Sequence, residues 1–487
     1  MNGLDALVQA AEDAGVEAIT YVPGYPVTEV AEALDAEISV NEKVALEIAL
    51  GASATGSRAL VLVKQLGMNI LADPLVISAT HAIGSGVVVI AGDDLGPEGS
   101  QAEMDSRAFG PLCELPVLDP IDPGNLYSSI LEAYTLSEWL RIPVIVRVTS
   151  RLLWSLAPSI QPHSSQGSGQ EFERIGWELT ARGRHQKHHD RILALAEEAS
   201  ESTTQNRLQI LGSVGIIASG FPARLAEQLG VSLLSIGYAY PLPWKLMRRF
   251  IDGHLLVLVA EEPRPCIESQ LRMSPKVRGR LTGHLPFGPL EKSDLVKALE
   301  NLERRIEKGP QVYESAAERG YTGICDDCPY VPLFRALAEL DVPVAGDAGC
   351  AIRATRKPYE SVDVVYGLGS SVGVASGFGN KGVAVIGDFA LAHSGLQGLI
   401  NTVWRKKEVL VVLLKNDVAA MTGGQEAPDL THVLEALVPT RYIELPCSEG
   451  AIERALSEEL AREGASAVVV EGRCSRYGKV GKVPHAP

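Results

Sequence analysis

Two runs, Val383-Ala-Val-Ile-Gly-Asp388 and Val409-Leu-Val-Val-Leu-Leu-Lys-Asn416, decide how this chain folds. Both are short, β-rich stretches, and each ends on an oxygen-bearing residue: a carboxylate at Asp388, an amide at Asn416. The 28 positions separating Asp388 from Asn416 accommodate one helix and one returning strand. Parallel topology then sets the two strand ends side by side at the carboxyl edge, where α/β proteins bind ligands. Asp carboxylate, Asn carbonyl and a nearby backbone oxygen form a hard donor set suited to Mg²⁺ holding a diphosphate. The same residues also serve as caps of ordinary strand-to-helix turns, and spacing alone leaves both readings open.

The βαβ rhythm extends outward from this pair. In the last third, strands are expected at Val362–Val365, Val383–Ile386, Val409–Leu414 and Ala467–Glu471. The first 150 residues alternate strands (Ala18–Val22, Ala59–Val63, Gly86–Ala91, Pro143–Val148) with helices at Leu4–Ala14, Glu42–Thr55 and Asn69–His81. A middle unit carries strands at Gly215–Ser219, Ser232–Ile236 and Leu255–Ala260. Its Gly215-to-Gly220 run lacks the third glycine and the later acid of a dinucleotide fingerprint. Between about 156 and 207 the sequence turns polar, which reads as a linker with a surface helix. His185, His188, His189 and Asp190 are expected on its solvated face, since no second ligand pair with fixed spacing accompanies them. The predicted fold class is α/β, with three domains of mostly parallel sheet at 1–155, 208–305 and 318–487.

At 487 residues the chain exceeds one ordinary core, and 46% apolar against 21% charged residues describes a globular protein. The formal net charge of −16 repels phosphate backbones, so nucleic acid is a poor partner. No window nears ~18 apolar residues and the N-terminus has no basic, then apolar leader, so the expectation is a cytoplasmic chain with no membrane span. Seven cysteines without an export signal argue against structural disulfides and leave metal or redox roles beside inert burial.

Further motifs carry a resemblance. Gly387-Asp388 followed by His393-Ser-Gly-Leu-Gln-Gly-Leu-Ile-Asn401, then Asn416 and Ala420-Met-Thr-Gly423, resembles the indolepyruvate:ferredoxin oxidoreductase alpha subunit, within the thiamine-diphosphate-dependent 2-oxoacid oxidoreductases. The likeness continues through Ser39-Val-Asn-Glu-Lys-Val-Ala-Leu-Glu47, Leu66-Gly-Met-Asn69, Ala72-Asp-Pro-Leu75 and Asp105-Ser-Arg107. It runs on, in order, through Tyr240-Pro-Leu-Pro243, Glu261-Glu262 and Thr282-Gly-His-Leu-Pro286. It implies a thiamine-diphosphate-binding fold of pyrimidine domain, transketolase-C-like domain and diphosphate domain. It also implies that Asp388, Asn416 and the carbonyl of Val418 hold Mg²⁺. Gly346, Gly349, Gly367, Gly369, Gly387, His393 and Thr422 would line the cofactor. Glu42 aligns with the carboxyl that shifts the aminopyrimidine ring toward its imino tautomer. Read without the resemblance, Glu42 is a first-turn helix carboxylate favoured by the helix dipole. Such domains meet across a subunit interface, which implies a homodimer, or a heterotetramer with a small beta-type subunit.

Cys325 and Cys328 form a Cys-x-x-Cys, which alone reads equally as two incidental thiols. With Cys350 and Cys474 they match positions that ligate a [4Fe–4S] cluster in the wider superfamily; zinc is the runner-up for four thiolates. Cys113, Cys266 and Cys447 read as buried small hydrophobes. The sequence departs from the family by ending at Pro487 without its cysteine-rich ferredoxin-like tail, which implies a separate electron carrier. It also carries Tyr25 for a threonine, Gln65 for a histidine, and Asp326-Asp327 for Pro-Gly, which implies an altered substrate pocket. The expected activity is oxidative decarboxylation of a 2-oxo acid with ferredoxin as acceptor, with coenzyme A an open requirement. Non-oxidative decarboxylation and a non-catalytic scaffold subunit are the alternatives.

Overall fold

The strand Ala59–Lys64 (β3) lies in the middle of a seven-stranded sheet with Ala18–Tyr21 (β1), Glu37–Ile38 (β2), Val87–Asp93 (β4), Val117–Leu118 (β5) and Val144–Thr149 (β6). β4 and β6 are buried at every residue and β3 at all but its last, so their Val, Ile and Leu side chains pack on both faces, as parallel strands require. This computed structural model describes residues 1–96, 99–100, 102–157, 167, 169–171, 187–271, 274–304 and 323–477, and divides into two units, Met1–Arg319 and Gly320–Pro487. In the first sheet the order is β10-β5-β6-β4-β3-β1-β2, where β10 is Tyr238–Tyr240 from the middle of the chain. β10 runs antiparallel to β5 and thereby carries the middle segment onto the first sheet.

The first unit's second sheet has the order β12-β11-β8-β9-β7. Its strands are Arg207–Gln209 (β7), Val214–Ser219 (β8), Ser232–Ile236 (β9), Leu256–Ala260 (β11) and Val277–Arg278 (β12). Apolar residues on its two faces build two cores, one around Ile216, Leu258 and Leu295, the other around Ile217, Val259 and Met247. The glycines at the ends of β8 serve packing. A Cβ at Gly215 would lie 2.6 Å from the Phe250 ring, and Gly220 takes φ +58 with Asp119 Oδ1 2.8 Å from a Cβ.

Short elements escaped the sequence reading. β2, β5 and β12 are two residues long, β7 is an exposed Arg-Leu-Gln, and such pieces carry no periodicity. The longest helix among the described residues, Pro123–Leu140, also went unread. Asp122 accepts from the Asn125 amide as its cap, Pro123 opens it, and it is buried on most sides, which blurs the helical period. The polar linker needs one correction. His188 is buried rather than solvated, and both His188 and His189 turn Nε2 toward the Glu114 carboxylate, at 3.5 and 3.4 Å. His185 lies outside the described residues.

Two guanidinium groups with almost no exposure tie these sheets together. Arg107 contacts Asp105 at 2.7 Å and Glu261 at 2.8 Å, and donates to the Arg264 carbonyl at 3.0 Å. Arg147 pairs with Asp93 at 2.6 Å and Asp119 at 3.1 Å, and donates to the Glu262 carbonyl. These partners come from both halves of the unit.

The second unit is one six-stranded parallel sheet, β14-β13-β15-β16-β20-β19. Its members are Val344–Gly346 (β13), Val364–Val365 (β14), Gly382–Gly387 (β15), Val409–Lys415 (β16), Thr440–Glu444 (β19) and Ser466–Glu471 (β20), with a hairpin of Val418–Ala419 (β17) and Gln425–Glu426 (β18). β15 and β16 are direct neighbours, with Gly387 opposite Leu414.

Arg107→Ala strands two carboxylates in the protein interior. It is expected to destabilise the first unit by about 3–5 kcal/mol, read as a lower midpoint in denaturant titration.

Candidate active site

Because β15 and β16 are adjacent and in register, the residues just beyond them meet. Asp388 starts the turn after β15 and is buried; its Oδ1 accepts from the Phe389 amide at 2.8 Å. Its Oδ2 accepts from the amides of Asn416 (3.0 Å) and Asp417 (2.6 Å). Two successive amides can aim at one oxygen because Asp417 sits in the left-handed region at φ +61. The Asn416 side-chain oxygen accepts from the Val418 amide at 3.0 Å, which draws the hairpin to the same edge. Among the described residues no basic side chain is paired with Asp388, and burial pushes its carboxyl up to about 6. A buried carboxylate that meets only backbone donors keeps lone pairs free for a hard cation, so this donor set fits Mg²⁺.

The other expected positions divide. Gly349, Gly367 and Gly387 border open space, where a Cβ would meet nothing within 4 Å. Gly346 and Gly369 have reasons within the fold. A Cβ at Gly346 would lie 2.7 Å from Val362 Cγ1, and Gly369 needs φ +80 hard against Ser394. His393 is buried with Nδ1 3.1 Å from Ser394 Oγ, which donates to the Leu368 carbonyl. Thr422 Oγ1 lies 2.9 Å from Gln425 Oε1 in the β17–β18 turn. Asp347, which went unread as a site residue, is buried with its carboxyl pushed up to about 6, and accepts from the Ser370 amide and the Ser371 hydroxyl.

The four cysteines gather in the same unit. The Cys328 amide donates to the Cys325 carbonyl at 3.0 Å, and Ser475 beside Cys474 donates to Asp327 at 2.9 Å. Burial pushes the Cys328 thiol up to about 12 and Cys350 up to about 11, and each feels Cys325 and Cys474. Among the described residues no three His, Cys, Asp or Glu side chains converge on a point suited to a single metal ion. Ligands of an iron–sulfur cluster bind different irons and so stand farther apart than ligands of one ion. Tyr330 joins the two groups: its hydroxyl donates to the Lys415 or the Gly472 carbonyl, at 2.7 and 2.9 Å, and it feels Asp388, Cys328 and Cys350. No motif announced Tyr330, although it stands two residues after the Cys-x-x-Cys. Cys113 is buried, while Cys266 and Cys447 are only partly so.

In the first unit, Glu42 opens the helix Glu42–Ala54, whose cap is Asn41, and is buried. Gly67 leaves room for it, since a Cβ there would come within 2.7 Å of Glu42 Cγ. Lys64, at the end of β3, feels Glu42 and Asp94, and burial holds its amine below the usual lysine range. Gln65 is fully buried: its oxygen accepts from the Asp94 amide and its nitrogen donates to the Ala102 carbonyl. Tyr25 packs on Gly99, where a Cβ would lie 3.1 Å from its ring carbon.

Residues 347–461 match the family described as thiamine pyrophosphate enzyme, C-terminal TPP binding domain, so Asp388, Asn416, Gly349, Gly367, Gly369 and Gly387 fall inside the match and Gly346 just outside it. The chain is 32% identical over 479 residues to indolepyruvate oxidoreductase subunit IorA of Methanothermobacter thermautotrophicus, covering 88% of this chain and 76% of that protein. It is 30% identical to the protein of the same name from Archaeoglobus fulgidus, with the same coverage. A solved structure of 2-oxoglutarate:ferredoxin oxidoreductase from Magnetococcus marinus is similar at TM-score 0.50 and 17% identity, over 62% of this chain and 64% of that one, just under two thirds of its length. A likeness at that identity establishes a shared fold. Among the described residues no helix is long and apolar enough to cross a membrane. The two relatives, matched over most of their length, establish that this chain belongs to the family of indolepyruvate oxidoreductase IorA subunits.

Proposed function

We propose that this chain is the thiamine-diphosphate-binding subunit of an enzyme that oxidatively decarboxylates a 2-oxo acid of the aryl-pyruvate class, with ferredoxin as electron acceptor. The observation that carries the reading is the buried Asp388 carboxylate at the joined ends of β15 and β16, beside a gathering of four thiols. Asp388, Asn416 and the Val418 carbonyl would hold Mg²⁺ against the diphosphate, and the open space beside Gly349, Gly367 and Gly387 leaves room for it. Thiamine diphosphate, when bound, supplies a carbanion that adds to the 2-oxo carbon and holds the electron pair left when CO₂ departs. Glu42, from a second copy of the chain, would share its carboxyl proton with the aminopyrimidine ring. The burial of Glu42 suits that task, because a proton shared in a dry site is not lost to water.

Cys325, Cys328, Cys350 and Cys474 would ligate a [4Fe–4S] cluster. Thiols whose ionisation is opposed by burial gain by binding iron, which favours the thiolate. The overall balance is then 2-oxo acid, coenzyme A and two oxidised ferredoxins going to acyl-coenzyme A, CO₂, a proton and two reduced ferredoxins. The names of the relatives, as one subunit of an oxidoreductase, support a second, beta-type subunit. Seven free thiols suit a reducing, cytoplasmic setting. A non-oxidative decarboxylase would have no use for grouped thiols, and their gathering favours the oxidative reading.

Three measurements test this. Asp388→Ala is expected to abolish Mg²⁺-dependent thiamine diphosphate binding in calorimetry while the circular dichroism spectrum is kept. Glu42→Gln is expected to keep cofactor affinity and lose ~10²-fold or more in turnover, since Gln donates a hydrogen bond but has no acidic proton. Anaerobically isolated protein is expected to be brown with about four irons per chain, and Cys474→Ser to lower the iron while thiamine binding persists. A colourless anaerobic preparation with full thiamine occupancy and decarboxylase activity would select the non-oxidative reading.

A further inference from the structure

One buried hydroxyl in the second unit meets the segments that carry the candidate ligands. Tyr330 is 3% exposed and stands two residues after Cys328, directly ahead of the helix Val331–Ala338. It belongs to the apolar core that includes Val412 and Val470, and Cys328 packs against that core. Its hydroxyl lies 2.7 Å from the Lys415 carbonyl and 2.9 Å from the Gly472 carbonyl. Lys415 precedes Asn416, whose amide is held by Asp388, and Gly472 lies two residues before Cys474.

The two carbonyls are neighbours because β16 and β20 run parallel with Lys415 opposite Glu471. The Gly472 amide also donates to the Lys415 carbonyl, at 3.0 Å. A side chain at residue 472 would intrude here, since a Cβ would stand 2.9 Å from Leu445 Cδ1 and 3.3 Å from Tyr330 Cζ. Among the described residues no other side chain donates to either carbonyl. A hydroxyl carries one proton, so it serves one of them at a time. The fold thus holds two discrete arrangements at this point, one answering the metal-side segment and one the cysteine-side segment. Small movements decide between them, because hydrogen bonds of this kind weaken steeply with distance and angle.

We propose that Tyr330 is a positioning residue that couples the Asp388–Asn416 metal site to the cysteine site, an inference that rests on the functional reading above. Cation binding fixes the segment after Lys415, and ligation of Cys474 fixes the segment after Gly472. The two segments compete for one proton, so fixing either changes what the other is offered. Each site's affinity then depends on whether the other is filled. A tyrosine suits this task. Its ring is held in the core and cannot follow either segment away, while only its hydroxyl takes part in the exchange. Tyr330→Phe therefore keeps the packing and removes the proton.

The test titrates thiamine diphosphate with Mg²⁺ into the full chain and its partner subunit, once loaded with iron and once after anaerobic removal of iron by a chelator. In wild type the two affinities are expected to differ by at least about 5-fold, the low end of the usual coupling between sites. In Tyr330→Phe they are expected to agree within about twofold, with the iron content of the loaded protein unchanged. A second measurement needs no iron-free protein. Adding Mg²⁺ and thiamine diphosphate to the reduced, iron-loaded wild type is expected to shift its paramagnetic signal, and to leave that of Tyr330→Phe in place. Gly472→Ala, whose methyl crowds the Tyr330 ring, is expected to reduce the affinity ratio with the hydroxyl still present. Equal affinities in wild type overturn the proposal, as does a Tyr330→Phe that keeps the wild-type ratio and shift. A lower denaturation midpoint with an intact ratio makes Tyr330 a brace for two carbonyls only, and overturns it too. A wild-type complex that holds no iron, or no thiamine diphosphate, removes the functional reading itself, and the proposal with it.

Discussion

Charge removed from water and answered by opposite charge organises the first unit. Arg107 and Arg147 have essentially no exposure; Arg107 is met by carboxylates from both halves of the unit, Asp105 and Glu261, and Arg147 by Asp93 and Asp119 of the first half with the Glu262 carbonyl from the other. Burying such groups is expensive, and the cost is offset only while every partner is present in good geometry. The two sheets are thus fixed by groups that tolerate few alternative arrangements, which suits a scaffold that must hold Glu42 in place. The segments Asp105-Ser-Arg107 and Glu261-Glu262, which first stood out only by resemblance, have their physical explanation in this lattice.

The second unit uses buried charge differently. Asp388 and Asp347 are as deeply placed, yet both are met by backbone amides, with a serine hydroxyl added at Asp347. Burial without a cation pushes both carboxyls up to about 6; in the first unit Arg107 holds Asp105 below its usual range against burial, while burial still raises Asp93 and Glu261. An acid left this way in the fold suits an incoming cation. The thiols of Cys328 and Cys350 repeat the pattern: groups raised by burial and by one another, with Arg353 helping only Cys350. Tyr330 stands between the two sets, its hydroxyl shared between carbonyls at the ends of β16 and β20.

The departures from the family take on different meanings once placed. Gln65 is fully buried and its amide is consumed by main-chain groups, so this exchange serves the fold. Tyr25 packs over Gly99, close to the Asp94 turn.

The long strands β3, β4, β6, β8, β15, β16 and β20 were legible in the sequence because apolar runs bounded by turn residues have few other uses. So was the meeting of Asp388 with Asn416, since one helix and one strand of intervening chain leave parallel neighbours as the natural outcome. The grouping of Cys325, Cys328, Cys350 and Cys474 came from resemblance rather than spacing, because their partners lie on separate loops. The two-residue strands, the buried helix Pro123–Leu140 and the capture of β10 by the first sheet were illegible, as each depends on neighbours distant in sequence. His188 was misread because a polar stretch in sequence says nothing of Glu114 lying across from it. Periodicity and chain length thus determined the sheets and the strand-end pair. Only the tertiary structure decided which buried charges are answered and which are left for a ligand, because burial and opposition of charge are properties of surroundings that the sequence does not list in order.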